Sequence, residues 1–71
     1  MKNLISYDPF FKTMQLKNMS TYKLFKAGIN SATYYRIRDG GNINVETIGK
    51  LCKILDCSVS DIIEYLPDAE N

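Results

Sequence analysis

The chain has 71 residues, of which 45% are hydrophobic and 24% charged, with a net charge of +1 and no histidine. This length accommodates one small domain, which we expect to span 1–71, and the composition argues against a disordered chain. No apolar run approaches the ~20 residues that cross a bilayer, and the first residues lack the apolar stretch of a signal peptide, so we expect a cytoplasmic protein with no membrane partner.

The first predicted helix covers about 8–18. Asp8 is a favourable N-cap, and proline, here Pro9, is favoured at the first helical position. The apolar residues that follow at helical spacing are Phe10, Phe11 and Met14.

The second predicted helix covers about 20–27. Ser20 is a suitable N-cap, and Gly28 lies just past the end, where glycine adopts a left-handed conformation at little cost. The turn that follows is Gly28 to Asn30, and we expect Ile29 to fill the core between the two helices it joins.

The third predicted helix covers 31–38, with Asn30 as its N-cap and a stop at Asp39–Gly41. Tyr34 and Ile37 are three residues apart and are predicted to face the core. The residues predicted to face outward are Ser31, Ala32, Tyr35 and Arg36.

The fourth predicted helix covers 44–55, with Asn44 as its N-cap. Gly49 within it costs ~1 kcal/mol relative to alanine, and we expect it to permit close packing against a neighbouring helix. The apolar stripe at spacings of three and four consists of Val45, Ile48, Leu51, Cys52 and Leu55.

The fifth predicted helix covers 59–66 and ends at Pro67, before a frayed tail at 68–71. Ser58 and Asp61 are spaced as a capping box in which aspartate replaces glutamate. Its apolar residues are Ile62, Ile63 and Leu66. No segment is predicted as a strand, so the expected fold is all-α, a compact orthogonal bundle of about five short helices.

Several kinds of chemistry are excluded by residue types. Without histidine there is no Ser–His or Cys–His nucleophile, and Cys52 with Cys57 cannot complete a four-ligand zinc site. The two cysteines are expected to pack as small apolar residues. Asp61 and Glu64 are interpreted as helix-capping and surface charges. The sequence therefore predicts neither an enzyme nor a metal, cofactor or small-molecule site.

A helix, a turn with glycine and a second helix follow one another over 20–39, as in a helix-turn-helix motif. Together with the flanking segments, this stretch resembles the lambda-repressor-like (Cro/XRE-type) helix-turn-helix family, and more narrowly a branch of short free-standing regulators from bacteria and their mobile elements. The segments that carry the resemblance are Tyr7–Phe11, Met19–Leu24, Gly28–Thr33, Leu51–Cys57 and Asp61–Pro67.

The chain departs from the usual family spacing in its second helix. One residue fewer separates Leu24 from Gly28, and Phe25 stands where the family has a small residue. The departure leaves the relative tilt of the two helices open.

The resemblance implies a transcriptional regulator, expected to be a repressor located at the nucleoid, that binds specific double-stranded DNA through helix 31–38 in the major groove. Matched position by position, it implies base contacts from Ser31, Ala32, Tyr35 and Arg36. Arg36 suits guanine O6 and N7, Ala32 suits a thymine methyl group, and Ser31 can donate or accept.

Phosphate contacts are expected to flank these base contacts, from helix N-termini, basic residues and the glycine loop. The candidates are Ser20, Thr21, Lys23, Asn30, Thr33, Arg38 and Asn42. Residues 1–42 carry a charge of +5 and residues 43–71 a charge of −4, which suits a polyanion on the first half.

Plainer interpretations stand beside these. Arg36 can be an ordinary exposed arginine or can pair with Asp39, Tyr35 can belong partly to the core, and Arg38 can simply interact with the helix dipole. The alternative function is a protein-interaction module without DNA binding, such as an antitoxin, anti-repressor or adaptor, whose acidic half binds a basic partner. The family also implies a homodimer on half-sites ~34 Å apart, for which the candidate contact surface is Tyr65, Leu66 and the region of the fourth and fifth helices.

Overall fold

The computed structural model describes residues 4–67. Four α-helices, one turn of 3₁₀-helix and a two-stranded sheet make up this part of the chain. In chain order the elements are β1 (Ile5–Ser6), α1 (Asp8–Leu16), α2 (Thr21–Lys26), α3 (Ser31–Arg38), α4 (Val45–Leu55), the 3₁₀ turn (Val59–Asp61) and β2 (Glu64–Tyr65). The predicted tail at 68–71 lies outside the described residues.

Three helices begin where the sequence places their N-caps. The side chains of Ser20, Asn30 and Asn44 accept hydrogen bonds from backbone N–H groups of the first turns of α2, α3 and α4. Each bond satisfies a donor that has no partner within its helix. At α1 the expectation is off by one residue, because the helix already includes Asp8 and its N-cap is Tyr7.

The core lies between the four helices and the 3₁₀ turn. The buried apolar residues of this core are Phe10, Met14, Leu24, Ile29, Ile37, Leu51, Leu55 and Ile62. Removal of their side chains from water is the main favourable contribution to folding. Every helix contributes at least one of them, so the core fixes α2 and α3 relative to α1 and α4.

The predicted fifth helix at 59–66 is wrong beyond its first turn. Ser58 does begin a helical turn, and the Asp61 carboxylate accepts from the Ser58 backbone N–H at 3.2 Å. The Asp61 carbonyl, however, accepts from the Thr13 hydroxyl of α1 at 2.9 Å instead of serving a longer helix. The chain then extends, so an all-α fold is also an incomplete description.

The small sheet joins the two ends of the described chain. Ile5 pairs with Tyr65 and Ser6 with Glu64 in antiparallel register, and the Leu66 N–H donates to the Leu4 carbonyl oxygen at 2.7 Å. These ladder bonds replace the helical hydrogen bonds that residues 64–66 were expected to make.

Helix α4 also differs from expectation at two positions. Val45 is 83% exposed and lies outside the apolar stripe, whereas Leu51 and Leu55 are buried. Gly49 is exposed, and a Cβ atom there would meet nothing within 4 Å. It therefore does not serve close helix packing.

The two cysteines are free, half-buried thiols that pack against the core. The Cys57 N–H donates to the Cys52 carbonyl at 3.0 Å where α4 ends, around Asp56 in the left-handed conformation. Burial, and then the neighbouring Cys52, raise the pKa of the Cys57 thiol. Within 4–67, no helix is both long and apolar enough to cross a membrane.

Candidate nucleic-acid interface

The turn between α2 and α3 is set by one glycine and one buried isoleucine. Helix α2 ends at Lys26, and Gly28 has φ +115°, a conformation that a residue with a Cβ atom rarely adopts. The buried Ile29 side chain then enters the core, and Asn30 caps α3 through its bond to the Ala32 N–H at 2.7 Å. The short spacing after Leu24 is thus accommodated by a helix that ends one residue before the expected 27.

Helix α3 has a narrow inner face. Ile37 is its one buried residue, and Tyr34 and Thr33 are half-buried. At about 100° of rotation per residue, the exposed residues occupy a continuous arc of about 160°. These residues are Ser31, Ala32, Tyr35, Arg36 and Arg38.

Tyr34 connects α3 to its neighbours, as expected of a residue on the inner face. Its ring lies edge-on to Phe11 of α1 and to Phe25 of α2, with centroids 6.2 Å and 5.9 Å apart. Edge-to-face pairs of this kind add to the energy of burial. Phe25, which departs from the family pattern, therefore helps to fix the position of α3.

Tyr35 and Arg38 form a unit on the outer face. The guanidinium of Arg38 lies 4.7 Å from the centroid of the Tyr35 ring, and its Nε is 3.5 Å from the Asp39 carboxylate. Tyr35 is 46% exposed and also stacks edge-on to Tyr34 at 5.4 Å. Asp39 therefore forms its ion pair with Arg38 and not with Arg36. Among residues 4–67, Arg36 has no ion-pair partner.

Arg36 is held at its base by the loop that follows α3. The Gly41 N–H donates to the Arg36 carbonyl oxygen at 2.7 Å. A Cβ atom at Gly41 would lie 2.7 Å from Arg36 Cγ, closer than carbon atoms approach without clashing. The Tyr7 hydroxyl donates to the Gly41 carbonyl oxygen at 2.6 Å. Burial raises the pKa of this hydroxyl.

The candidate phosphate residues lie in α2 or at its N-cap, in α3 and in the turns that flank α3. All are exposed except Thr33, which is half-buried. Ser20 and Asn30 use side-chain oxygens as helix caps, so the Ser20 hydroxyl hydrogen and the Asn30 NH₂ group remain as donors. The structure distributes the remaining candidates over α2, α3 and the loop after it: Thr21, Lys23, Arg38 and Asn42.

Sequence reasoning offered the loop at Gly41 only as a source of phosphate contacts, and it predicted neither the Tyr7–Gly41 hydrogen bond nor the Tyr22–Lys26 pair. The Lys26 ammonium lies 5.5 Å from the centroid of the exposed Tyr22 ring on α2. The i, i+4 spacing of this pair is visible in the sequence and predicts such a contact. The Tyr7–Gly41 bond joins residues 34 apart and has no comparable local pattern.

The charged side chains of α2 and α3 are all positive. Residues 20–38 contain four basic side chains and no carboxylate. The first acidic residue after them is Asp39, which Arg38 already neutralises in part. An exposed helical face in a segment without negative charge suits a polyanion.

These features define a helix-turn-helix domain. Residues 12–68 match the family model of the Cro/C1-type HTH DNA-binding domain, and the chain belongs to that family. The crystal structure of the transcriptional regulator VanUg (form II) is similar, with a TM-score of 0.81 and 24% sequence identity over 96% of this chain and 93% of that chain. At this identity the likeness shows a shared fold. No curated protein sequence gives a significant match.

Proposed function

We propose that this protein binds a specific double-stranded DNA sequence by placing α3 in the major groove. In this proposal it is a transcriptional regulator that acts as a repressor. The observation that carries the proposal is the outer face of α3, which combines the small residues Ser31 and Ala32 with arginine in a segment free of carboxylates. A helix fits the ~12 Å wide major groove only if one of its faces projects from the domain, as the outer face of α3 does.

The four outward residues would divide the base contacts. Arg36 has the fork geometry for guanine O6 and N7, and Ala32 one turn before it offers a methyl group to thymine. Ser31 can donate to or accept from a base edge. Tyr35 would contact a sugar or a base through its exposed ring edge. Arg38, whose guanidinium lies over the Tyr35 ring, would then contact a phosphate beside it.

The seven candidate phosphate residues would fix the orientation of the domain without specifying sequence. Neighbouring Lys26, with its ammonium over the Tyr22 ring, extends the same positive surface along α2. Binding through these groups releases counterions from the DNA, so the affinity would depend strongly on salt.

The test is selection of bound duplexes from a randomised pool, followed by fluorescence anisotropy with the selected duplex and a shuffled duplex of equal composition. We expect tighter binding to the selected duplex, and at least a tenfold loss of affinity between about 50 and 200 mM salt. A folded protein that enriches no sequence and binds neither duplex at low salt would overturn the proposal and favour the protein-interaction alternative.

The role of Arg36 is tested in the same assay. Arg36→Ala should weaken binding to the selected duplex by about five- to a hundredfold, the value of about 1–3 kcal/mol for a bidentate base contact. The matched control is Lys53→Ala, which removes one exposed positive charge from α4. Replacement of one guanine in the site by 7-deazaguanine should weaken the wild type and leave Arg36→Ala unaffected, because both changes remove the same N7 contact.

A homodimer on paired half-sites belongs to the same proposal. The sheet supports it, because the two strands and the residues next to them expose large apolar or aromatic side chains. These are Ile5 and Tyr65 on the paired strands and the flanking Leu4 and Leu66. If two copies bind together, insertion of five base pairs between the selected half-sites should abolish cooperative binding, because it rotates one half-site to the opposite side of the duplex.

A further inference from the structure

The loop after α3 makes an unusually close approach to the arginine of the outer face. Gly41 lies against the first part of the Arg36 side chain, with the position of its missing Cβ 2.7 Å from Cγ and 3.6 Å from Cδ. The same absent atom would be 3.3 Å from the Arg36 carbonyl oxygen. Because Cγ is the second carbon of the side chain, it cannot move away without rotation about χ1.

The backbone of Gly41 is held from both sides. Its N–H donates to the Arg36 carbonyl oxygen at 2.7 Å, and its carbonyl oxygen accepts from the Tyr7 hydroxyl at 2.6 Å. Tyr7 directly precedes α1 and packs against the core. The position of Gly41 is thus tied to the core, 34 residues away in sequence, rather than to the loop alone.

We propose that Gly41 and Tyr7 are positioning residues for Arg36: Tyr7 fixes Gly41, and Gly41 fixes the direction in which the Arg36 stem leaves α3. This inference rests on the proposed function, in which Arg36 contacts a base. A guanidinium at the end of a freely rotating stem samples many positions, and binding must then immobilise it. A stem already directed from its base loses less freedom in the same contact.

Gly41→Ala is the direct test, read as the ratio of affinities for the selected and the shuffled duplex. Alanine adds only the Cβ atom that meets Arg36, at a position whose φ lies outside the range that favours glycine. We expect this ratio to fall by about five- to a hundredfold, as for loss of the base contact itself. Gly49→Ala is the matched control, because its Cβ meets nothing within 4 Å, and its ratio should equal that of the wild type.

Tyr7→Phe provides a second variant that keeps the packed ring and removes only the hydroxyl. It should lower the same ratio by a smaller factor, while affinity for the shuffled duplex is unchanged. Circular dichroism and thermal unfolding confirm that each variant is folded. A variant that merely destabilised the fold would weaken binding to both duplexes alike, and this outcome would contradict the positioning role.

The double variant Gly41→Ala, Arg36→Ala separates the two proposals. If Gly41 acts through Arg36, the second substitution should change the affinity ratio no further, because alanine at 36 has no Cγ to displace. Full additivity of the two effects, or an unchanged ratio in Gly41→Ala, would overturn the positioning role while the DNA-binding function stands. Failure of the wild type to prefer any duplex would instead refute the proposed function itself.

Discussion

Helices α3 and α4 begin alike and serve the domain differently. Both are capped by an asparagine, Asn30 or Asn44, that accepts from a first-turn N–H. Helix α4 buries Leu51 and Leu55 and has two further half-buried residues on the same stripe, Ile48 and Cys52. Helix α3 fully buries only Ile37 and leaves five of its eight residues exposed.

The difference shows how a small domain can expose most of a helix to solvent and still hold that helix in place. Helix α3 is anchored at three places: Ile37 in the core, Tyr34 among the aromatic rings of Phe11 and Phe25, and the glycine loop at its C-terminal end. The first two anchors do not use the outer face, and the glycine loop touches it only at the base of the Arg36 side chain. Substitutions on that face should therefore alter DNA binding with little effect on stability, whereas substitutions on the inner face of α4 should do the reverse.

Leu51→Ala should have the largest effect on stability. Leu51 is fully buried, so its truncation removes apolar burial and leaves a cavity, at a cost of about 2–5 kcal/mol in the free energy of unfolding. Urea denaturation followed by circular dichroism measures it. Val45→Ala on the same helix is the control, since Val45 is 83% exposed and should change the free energy by no more than about 0.5 kcal/mol. Equal losses would mean that Leu51 is no more buried than Val45.

Gly28→Ala tests the anchorage between α2 and α3. A Cβ atom there meets nothing within 4 Å, so any cost arises from φ +115° alone. We expect a loss of at least about 1–2 kcal/mol in unfolding free energy, the range for an alanine in a left-handed conformation. Gly28→Asn should lose less in the same thermal or urea unfolding experiment, because asparagine tolerates this region better. An alanine variant as stable as the wild type would show that the turn relaxes.

The two asparagine caps allow α3 and α4 to be compared directly. Asn30→Ala and Asn44→Ala should each lower the free energy of unfolding by about 1 kcal/mol, because each leaves a first-turn N–H without its acceptor. Only Asn30→Ala should also weaken DNA binding, since the Asn30 NH₂ group is a proposed phosphate donor. Anisotropy with the shuffled duplex detects that loss, and an equal loss in Asn44→Ala would contradict the assignment of function to α3.

Local signals in the sequence predicted where these helices begin. They failed where a segment pairs with another segment that is distant in the sequence. The caps at Ser20, Asn30 and Asn44 act within three residues and are visible in the sequence. The segment from Ser58 has an equally good start, yet its second half pairs with Ile5–Ser6, about sixty residues earlier. Nothing near Glu64 predicts that pairing, because the strand forms only when its partner is in place.

The candidate site divides in the same way. Helical periodicity predicted which residues of α3 face outward, and the structure exposes Ser31, Ala32, Tyr35 and Arg36. Their contacts with bases remain a prediction. The link from Tyr7 through Gly41 to Arg36 was not predictable, because a glycine in a loop predicts a turn and gives no information about the side chain packed against it.

Gly49→Ala should have the smallest effect, and it is the one expected to stabilise the protein. Gly49 is an exposed residue within α4, and alanine there gains about 0.5–1 kcal/mol in unfolding free energy by restricting the unfolded chain and improving helix propensity. Thermal unfolding at several protein concentrations measures the gain. A loss of stability would mean that the added Cβ meets an atom, and within 4–67 none lies near enough. If that loss grew with protein concentration, the obstructing atom would belong to a second copy, and α4 rather than the small sheet would then form the surface between copies.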